Sequence, residues 1–253
     1  MTLPPPAHTN RLKLRDRLQH RAPVMYQNWR QLLFLHWEFD PDIIQATLPP
    51  GLHVDSLASK AYVGLVPFFM RDVRPRFVPS IPGISNFLEL NLRTYAYDDR
   101  GLPGVWFYSL DANQWLAVQV AKKFFGLPYH YADMKARESA AGEITFSSRR
   151  GGDARSPSVF RYLPSGAVRT AQPDSLEFFL VERYLLFSPA SKDGQPLTGR
   201  IHHRPYPLVD AQVPRWDARL FELNGFPLPG RDPDHVVMSP GVDVEVFPLT
   251  PSL

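Results

Sequence analysis

A chain of 253 residues with 44% hydrophobic and 21% charged content has the make-up of an ordinary soluble globular protein, long enough for one large β-rich domain or two small ones. It has no cysteine, which excludes disulfides, thiolate zinc sites, iron–sulfur clusters and a cysteine nucleophile, and suits a reducing interior. A net charge of +3 is too small to argue for a polyanion. Neither an apolar signal region nor a run of membrane-spanning length is evident, so the expectation is a cytoplasmic protein without nucleic-acid or membrane partners.

The 27 prolines are about twice the usual share of roughly 5% and recur between short apolar runs. Proline interrupts helix and central-strand hydrogen bonding alike, so many strands with stiff connections are expected rather than long helices. Residues 1–23 read as a basic arm, with Pro4-Pro5-Pro6 followed by Arg11, Lys13, Arg15, Arg17 and Arg21; the expectation is a solvated or partner-crossing tail. Residues 24–253 offer no repeat and no dividing linker, and read as a single domain.

Residues 31–39 read as a strand. Asp40-Pro41, a cap and a first-turn proline, open a short helix that Pro49-Pro50-Gly51 stops. Strands are expected at 61–69, 86–97 and 105–110. Asp111 is expected to cap a helix running through Phe125, with Gln114 completing a capping box and Gly126 and Pro128 ending it. Further strands are expected at 143–148, 158–163, 198–203, 206–213 and 242–247, and helices at 175–184 and 217–223. Strands outnumber helices and do not alternate with them. The predicted fold is therefore mainly β (α+β), an antiparallel barrel or cone with a few short packed helices.

Three local patterns resemble the acetoacetate decarboxylase-like superfamily. Asn28-Trp29-Arg30, an apolar strand and Asp40-Pro41-Asp42-Ile43-Ile44 ending in Leu48-Pro49 resemble its opening strand–helix–proline unit. Phe87-Leu88-Glu89 resembles its aromatic-x-Glu, and a helix ending Gly126-Leu127-Pro128 resembles the turn before its Schiff-base lysine. The resemblance implies active-site positions at Arg30 and Glu89. Tyr129 stands where the lysine would be, and Tyr62 where a second carboxylate falls. The chain is more specifically similar to the uncharacterised YqjF-like family, through Asn91-Leu92-Arg93-Thr94-Tyr95, Phe124-Phe125-Gly126-Leu127-Pro128-Tyr129, Glu182-Arg183-Tyr184 and His202-His203-Arg204-Pro205-Tyr206-Pro207-Leu208. That family implies a fold and no reaction.

In residues 88–96, Glu89, Asn91, Arg93 and Tyr95 alternate with Leu88, Leu90, Leu92 and Thr94, so the polar set shares one face. In a closed barrel that face lines the interior, with the leucines packed outward under helices; on an open sheet it is simply wet. Lys122 and Lys123 share a helix face with Gln119, opposite Leu116, Val120 and Phe124, and read as solvated rather than as displaced nucleophiles. Tyr129 and His130 either assist proton transfer on an enolisable carbonyl compound or, in the plainer reading, Tyr129 is a packed wall residue. His202 and His203, adjacent on a strand, point to opposite faces and cannot share a metal ion, so no metal is expected. Arg183 is placed to satisfy the last carbonyls of its helix, or to form an interior salt bridge. No dinucleotide, phosphate-loop or nucleophile-elbow motif occurs, and no cofactor is expected.

The candidate site is therefore Glu89, Tyr129 and His130 as catalytic groups, with Arg30, Tyr62, Asn91 and Arg93 binding a small carbonyl or carboxylate compound without a covalent imine. The alternatives are a small-ligand-binding barrel without turnover and a structural assembly subunit with a filled interior; a homo-oligomer is compatible with each. The cavity discriminates among them.

Overall fold

The computed structural model describes residues 6–189 and 196–251. The elements in chain order are α1 (His8–Lys13), β1 (Met25–Phe39), α2 (Pro41–Gln45), β2 (Leu52–Val54), β3 (Ala61–Pro75), β4 (Phe87–Asp98), β5 (Pro103–Ala112) and α3 (Trp115–Phe125). They continue with β6 (Tyr129–Glu138), β7 (Ile144–Arg150), β8 (Ser158–Arg169), α4 (Leu176–Val181), β9 (Leu185–Ser188), β10 (Leu197–His202), β11 (Leu208–Arg215), α5 (Arg219–Glu222), β12 (His235–Val246) and β13 (Thr250–Pro251). Among the described residues no helix is long and apolar enough to cross a membrane.

The strands form one sheet that closes on itself twice. Neighbour pairing runs β4–β5–β9–β10–β12–β1–β3 and back to β4, completing one ring. A second path, from β5 through β6, β7, β8 and β11 to β12, shares β12, β1, β3, β4 and β5 with the first. Most pairs are antiparallel, but β5 runs parallel to both β6 and β9.

Two hydrophobic cores result, one on each side of the shared strands. Leu32, Phe34, Val66 and Phe68 face the first; Leu33, Leu35, Val63 and Leu65 face the second. All twelve residues of β4 are buried in consequence. Its leucines 88, 90 and 92 pack with Phe146, Phe160 and Phe221, so strands β7 and β8 as well as α5 cover them, rather than helices alone.

Two local expectations change. Strand β5 runs on through Asp111, and the cap of α3 is Gln114, whose side chain accepts from the Leu116 amide. Asp111 is buried and taken by Arg150, at 3.0 Å from Nε and 2.6 Å from Nη2. A charge-assisted pair across the sheet outweighs a local capping bond worth about 1 kcal/mol. At the other end Gly126 adopts φ 60°, the left-handed conformation of a helix stop.

The arm, expected to be solvated or partner-crossing, is docked on its own fold. Arg11 grips Asp55 through two bonds of 2.6 Å, and Arg17 reaches Glu245 at 2.5 Å. Arg200 Nη2 donates to the carbonyls of Leu14 and Asp16, both at 2.8 Å, and Leu14 is buried beside Tyr184 and Leu185. These partners are remote in sequence, so composition alone could not reveal them.

Candidate functional site

Inside the first ring lies a cavity of about 340 Å³. Met25, Gln27, Trp29 and Leu32 of β1 line it, with Val66, Phe68 and Met70 of β3, Phe87, Glu89, Asn91 and Arg93 of β4, and Ala117, Val120 and Ala121 of α3. The interior is open, which disfavours a subunit whose core is filled.

The polar groups concentrate on β4. Glu89, Asn91 and Arg93 alternate inward, and Leu127 and Tyr129, immediately after the turn at Gly126, line the cavity beyond the neighbouring β5. The Tyr129 hydroxyl donates to Glu89 Oε2 at 2.8 Å, while Asn91 Nδ2 lies 3.4 Å from Oε1. Burial dominates at Glu89 and pushes its pKa up to about 7; the Tyr129 and Asn91 bonds pull it down, Asp111 pushes it up and Arg93 pulls it down. Burial, and then the carboxylate, raise Tyr129 well above 10.

Arg93 is buried with its guanidinium over the rings of Phe34 and Tyr95, at 5.4 and 5.8 Å. Its Nε and Nη2 have no hydrogen-bond partner, nor has Asn91 Oδ1. A buried cation with unmet donors is costly, and a ligand anion is the kind of group that relieves it. Arg183 also lines the cavity. Its Nε donates to Phe179 O at 2.7 Å and its Nη1 to Asp55 at 2.5 Å, so it both closes the helix and forms the interior salt bridge.

Three predicted site residues lie away from this cluster. Arg30 turns to the opposite face of β1 from Trp29, where it pairs with Asp243 and donates to Val242 O at 2.8 Å. The cause is a bulge against β3: Gln31 has φ 54°, and the register shifts between Arg30↔Phe69 and Leu35↔Leu65. Gly241, opposite Arg30 on β12, is required, because a Cβ would stand 2.2 Å from Trp29 O and 2.8 Å from Arg30 Cδ. The Arg30–Glu89 partnership is therefore not formed. Tyr62 is buried outside the cavity lining, its hydroxyl 3.5 Å from Glu38 Oε1. His130 follows Tyr129 on β6 and faces away from the cavity, lowered to about 4 by burial, Arg150 and Lys122.

The histidines group differently from the sequence pairing. His203 stacks on Tyr184 at 4.7 Å, whereas His202 Nδ1 meets Arg15 O at 3.1 Å. His36 joins Tyr95 (2.7 Å) to His235 (3.0 Å), a buried chain the spacing gave no sign of. Among the described residues no three His, Cys, Asp or Glu side chains could together hold a metal ion. Sequence reasoning also missed the cavity's outer wall at Val78, Ile81 and Ile84; apolar residues in a proline-rich turn were the available signal.

Residues 26–243 match the DUF2071 family, described as an uncharacterised conserved protein. YqjF of Bacillus subtilis (strain 168), itself uncharacterised, is 39% identical over 210 residues, covering 83% of this chain and 85% of YqjF. Solved structures share the fold at low identity. The enduracididine biosynthesis enzyme MppR complexed with pyruvate superposes with a TM-score of 0.60 at 13% identity, over 92% of this chain and 91% of that one. Acetoacetate decarboxylase from Legionella pneumophila gives 0.60 at 15%, over 94% and 91%. An acetoacetate decarboxylase-like enzyme from Sphingomonas wittichii RW1 gives 0.61 at 13%, over 92% and 94%. The chain therefore belongs to the YqjF-like DUF2071 family, and its fold is that of acetoacetate decarboxylase-like enzymes.

Proposed function

We propose that the cavity binds a small carbonyl compound bearing a carboxylate and moves a proton on it without forming an imine. The observation that carries this reading is the presence on one cavity wall of Arg93, whose Nε and Nη2 lack partners, and of the buried Glu89 carboxyl. Arg93 takes the ligand carboxylate. Glu89, with an acidity near neutrality, is populated in both protonation states at pH 7 and can accept a proton from the carbon beside the carbonyl and return it. Tyr129 orients the carboxyl by its 2.8 Å bond. The fold likeness to MppR, solved with the 2-oxo acid pyruvate, is compatible support.

Deuterium exchange into the C3 hydrogens of pyruvate in D2O, followed by proton NMR, tests it. The reading expects exchange above the buffer rate that Glu89→Gln removes. Exchange unchanged in that variant contradicts a role for Glu89. Pyruvate binding without exchange instead favours the second reading, a binder without turnover, which the largely apolar cavity wall supports.

A further inference from the structure

The cavity's polar and apolar parts are separated along one direction. Strand β4 carries Phe87, Glu89, Asn91 and Arg93 on its cavity face, a run of about 20 Å at roughly 3.3 Å per residue. Phe87 adjoins the segment between β3 and β4, and Gln114 Nε2 ties the start of α3 to that segment through Gly83 O at 2.5 Å. Here four residues both line the cavity and reach solvent: Pro75, and Val78, Ile81 and Leu116, the last three exposed at 39%, 42% and 43%. They mark the mouth. From the mouth inward as far as Glu89 the wall is apolar, with Val73, Ile84, Phe87 and Val120, apart from Gln27, whose amide is bonded to Met25 and Trp29. On β4 the unmet polar atoms, Asn91 Oδ1 and Arg93 Nε and Nη2, lie beyond Glu89 along the strand, and Arg183 Nη2 of the lining is unmet as well.

Neither a three-carbon acid nor a plain hydrocarbon satisfies this arrangement. About 340 Å³ is within the range of roughly 300–1,000 Å³ that encloses drug-sized ligands, and pyruvate would leave much of an apolar-walled space without atoms or with poorly bonded water. A hydrocarbon would fill the apolar part and leave the Arg93 guanidinium unpaired in a dry site. Apolar side chains at the mouth of a cavity are also a usual mark of a binding surface.

We infer that the ligand is an amphipathic acid: its carboxylate on Arg93, its carbonyl side beside Glu89, and an unbranched apolar chain running out between α3 and the 78–84 segment. This deepens the proposed reading of the site and rests on it.

Calorimetric titration of the full chain with pyruvate, 2-oxobutanoate, 2-oxohexanoate and 2-oxooctanoate tests the inference. The expected result is a Kd that falls two- to fourfold per added methylene, the gain that burying one methylene gives, with a binding heat capacity that grows more negative along the series. A Kd independent of chain length among acids that do bind overturns this inference and leaves the proton-transfer reading standing. Absence of binding by every member overturns both. Octylamine is the charge control: binding as tight as that of 2-oxooctanoate would show an apolar sink indifferent to the head group, and would overturn the placement of a carboxylate on Arg93.

Discussion

The Tyr129 hydroxyl donates to Glu89 Oε2 at 2.8 Å, so two cavity-lining residues on different strands hold one another. The bond is made at the wall of an open cavity. Removing that donor has a signed effect. Tyr129→Phe should destabilise the fold by about 1 kcal/mol at pH 5 and by roughly 2 at pH 8, because a bond to an ionised acceptor is worth more than one to a neutral acceptor. Urea unfolding at the two pH values checks this; equal losses contradict it.

Burial raises the Glu89 carboxyl from 4.5 to about 7, so between those values the native state holds a proton that the unfolded state has released. The stability tied to that proton is fully present below pH 4.5 and is lost as pH rises through about 7. His203 and His235, lowered to about 4, and His36, also lowered, act in the opposite sense, since the unfolded state takes up their protons first as pH falls below 6.5. The two trends overlap, so the Glu89 part is read as a difference. The stability of Glu89→Gln relative to wild type should rise by roughly 3 kcal/mol between pH 4.5 and 7.5, at about 1.4 kcal/mol per pH unit. Parallel stability curves would return Glu89 to an ordinary acidity.

Arg93→Met should separate binding from stability. Without ligand the variant should be at least as stable as wild type, because it removes a buried cation with two unmet donors. Its affinity for 2-oxo acids should fall at least about 30-fold, the cost of losing one partner of a buried charged contact. Thermal unfolding and titration calorimetry report the two quantities. Destabilisation without loss of affinity would make Arg93 a structural residue.

Asp55 is fully buried between Arg11 of the arm and Arg183 of the cavity wall, at 2.6 and 2.5 Å. Asp55→Asn leaves two guanidinium groups without a counter-charge and should cost about 3–5 kcal/mol. Arg11→Met should cost less, since Arg183 still pairs with the carboxylate. Denaturant midpoints for the two variants should fall in that order; the reverse order would mean that the arm, not the interior pair, carries the stability.

Imine chemistry should be absent. No lysine lines the cavity among the described residues, and Lys122 and Lys123 are exposed on α3. Borohydride treatment with acetoacetate or acetylacetone should leave the protein mass unchanged, and a stable adduct on either lysine would contradict the account.

The β4 half of the site was legible because alternation is a local property: three polar residues two apart must share a face, whatever surrounds them. Tyr129 was legible through the helix stop just before it. Arg30 was not, because a bulge of β1 against β3 just after it, where Gln31 has φ 54°, changes which residues face inward, and no residue type announces a bulge there. Asp111 carries a cap signature but is claimed by Arg150, 39 positions away. The docked arm and the Tyr95–His36–His235 chain also depend on partners remote in sequence, and such contacts follow from closure of the sheet rather than from any local pattern.

The most direct test is a crystal structure with 2-oxooctanoate bound. The account predicts the carboxylate within hydrogen-bond distance of the Arg93 guanidinium, the C3 carbon beside the Glu89 carboxyl, and the chain leaving past Leu116 and Val78. A ligand outside this cavity, a carboxylate at the mouth with the chain buried against Arg93, or continuous density to a lysine would contradict it.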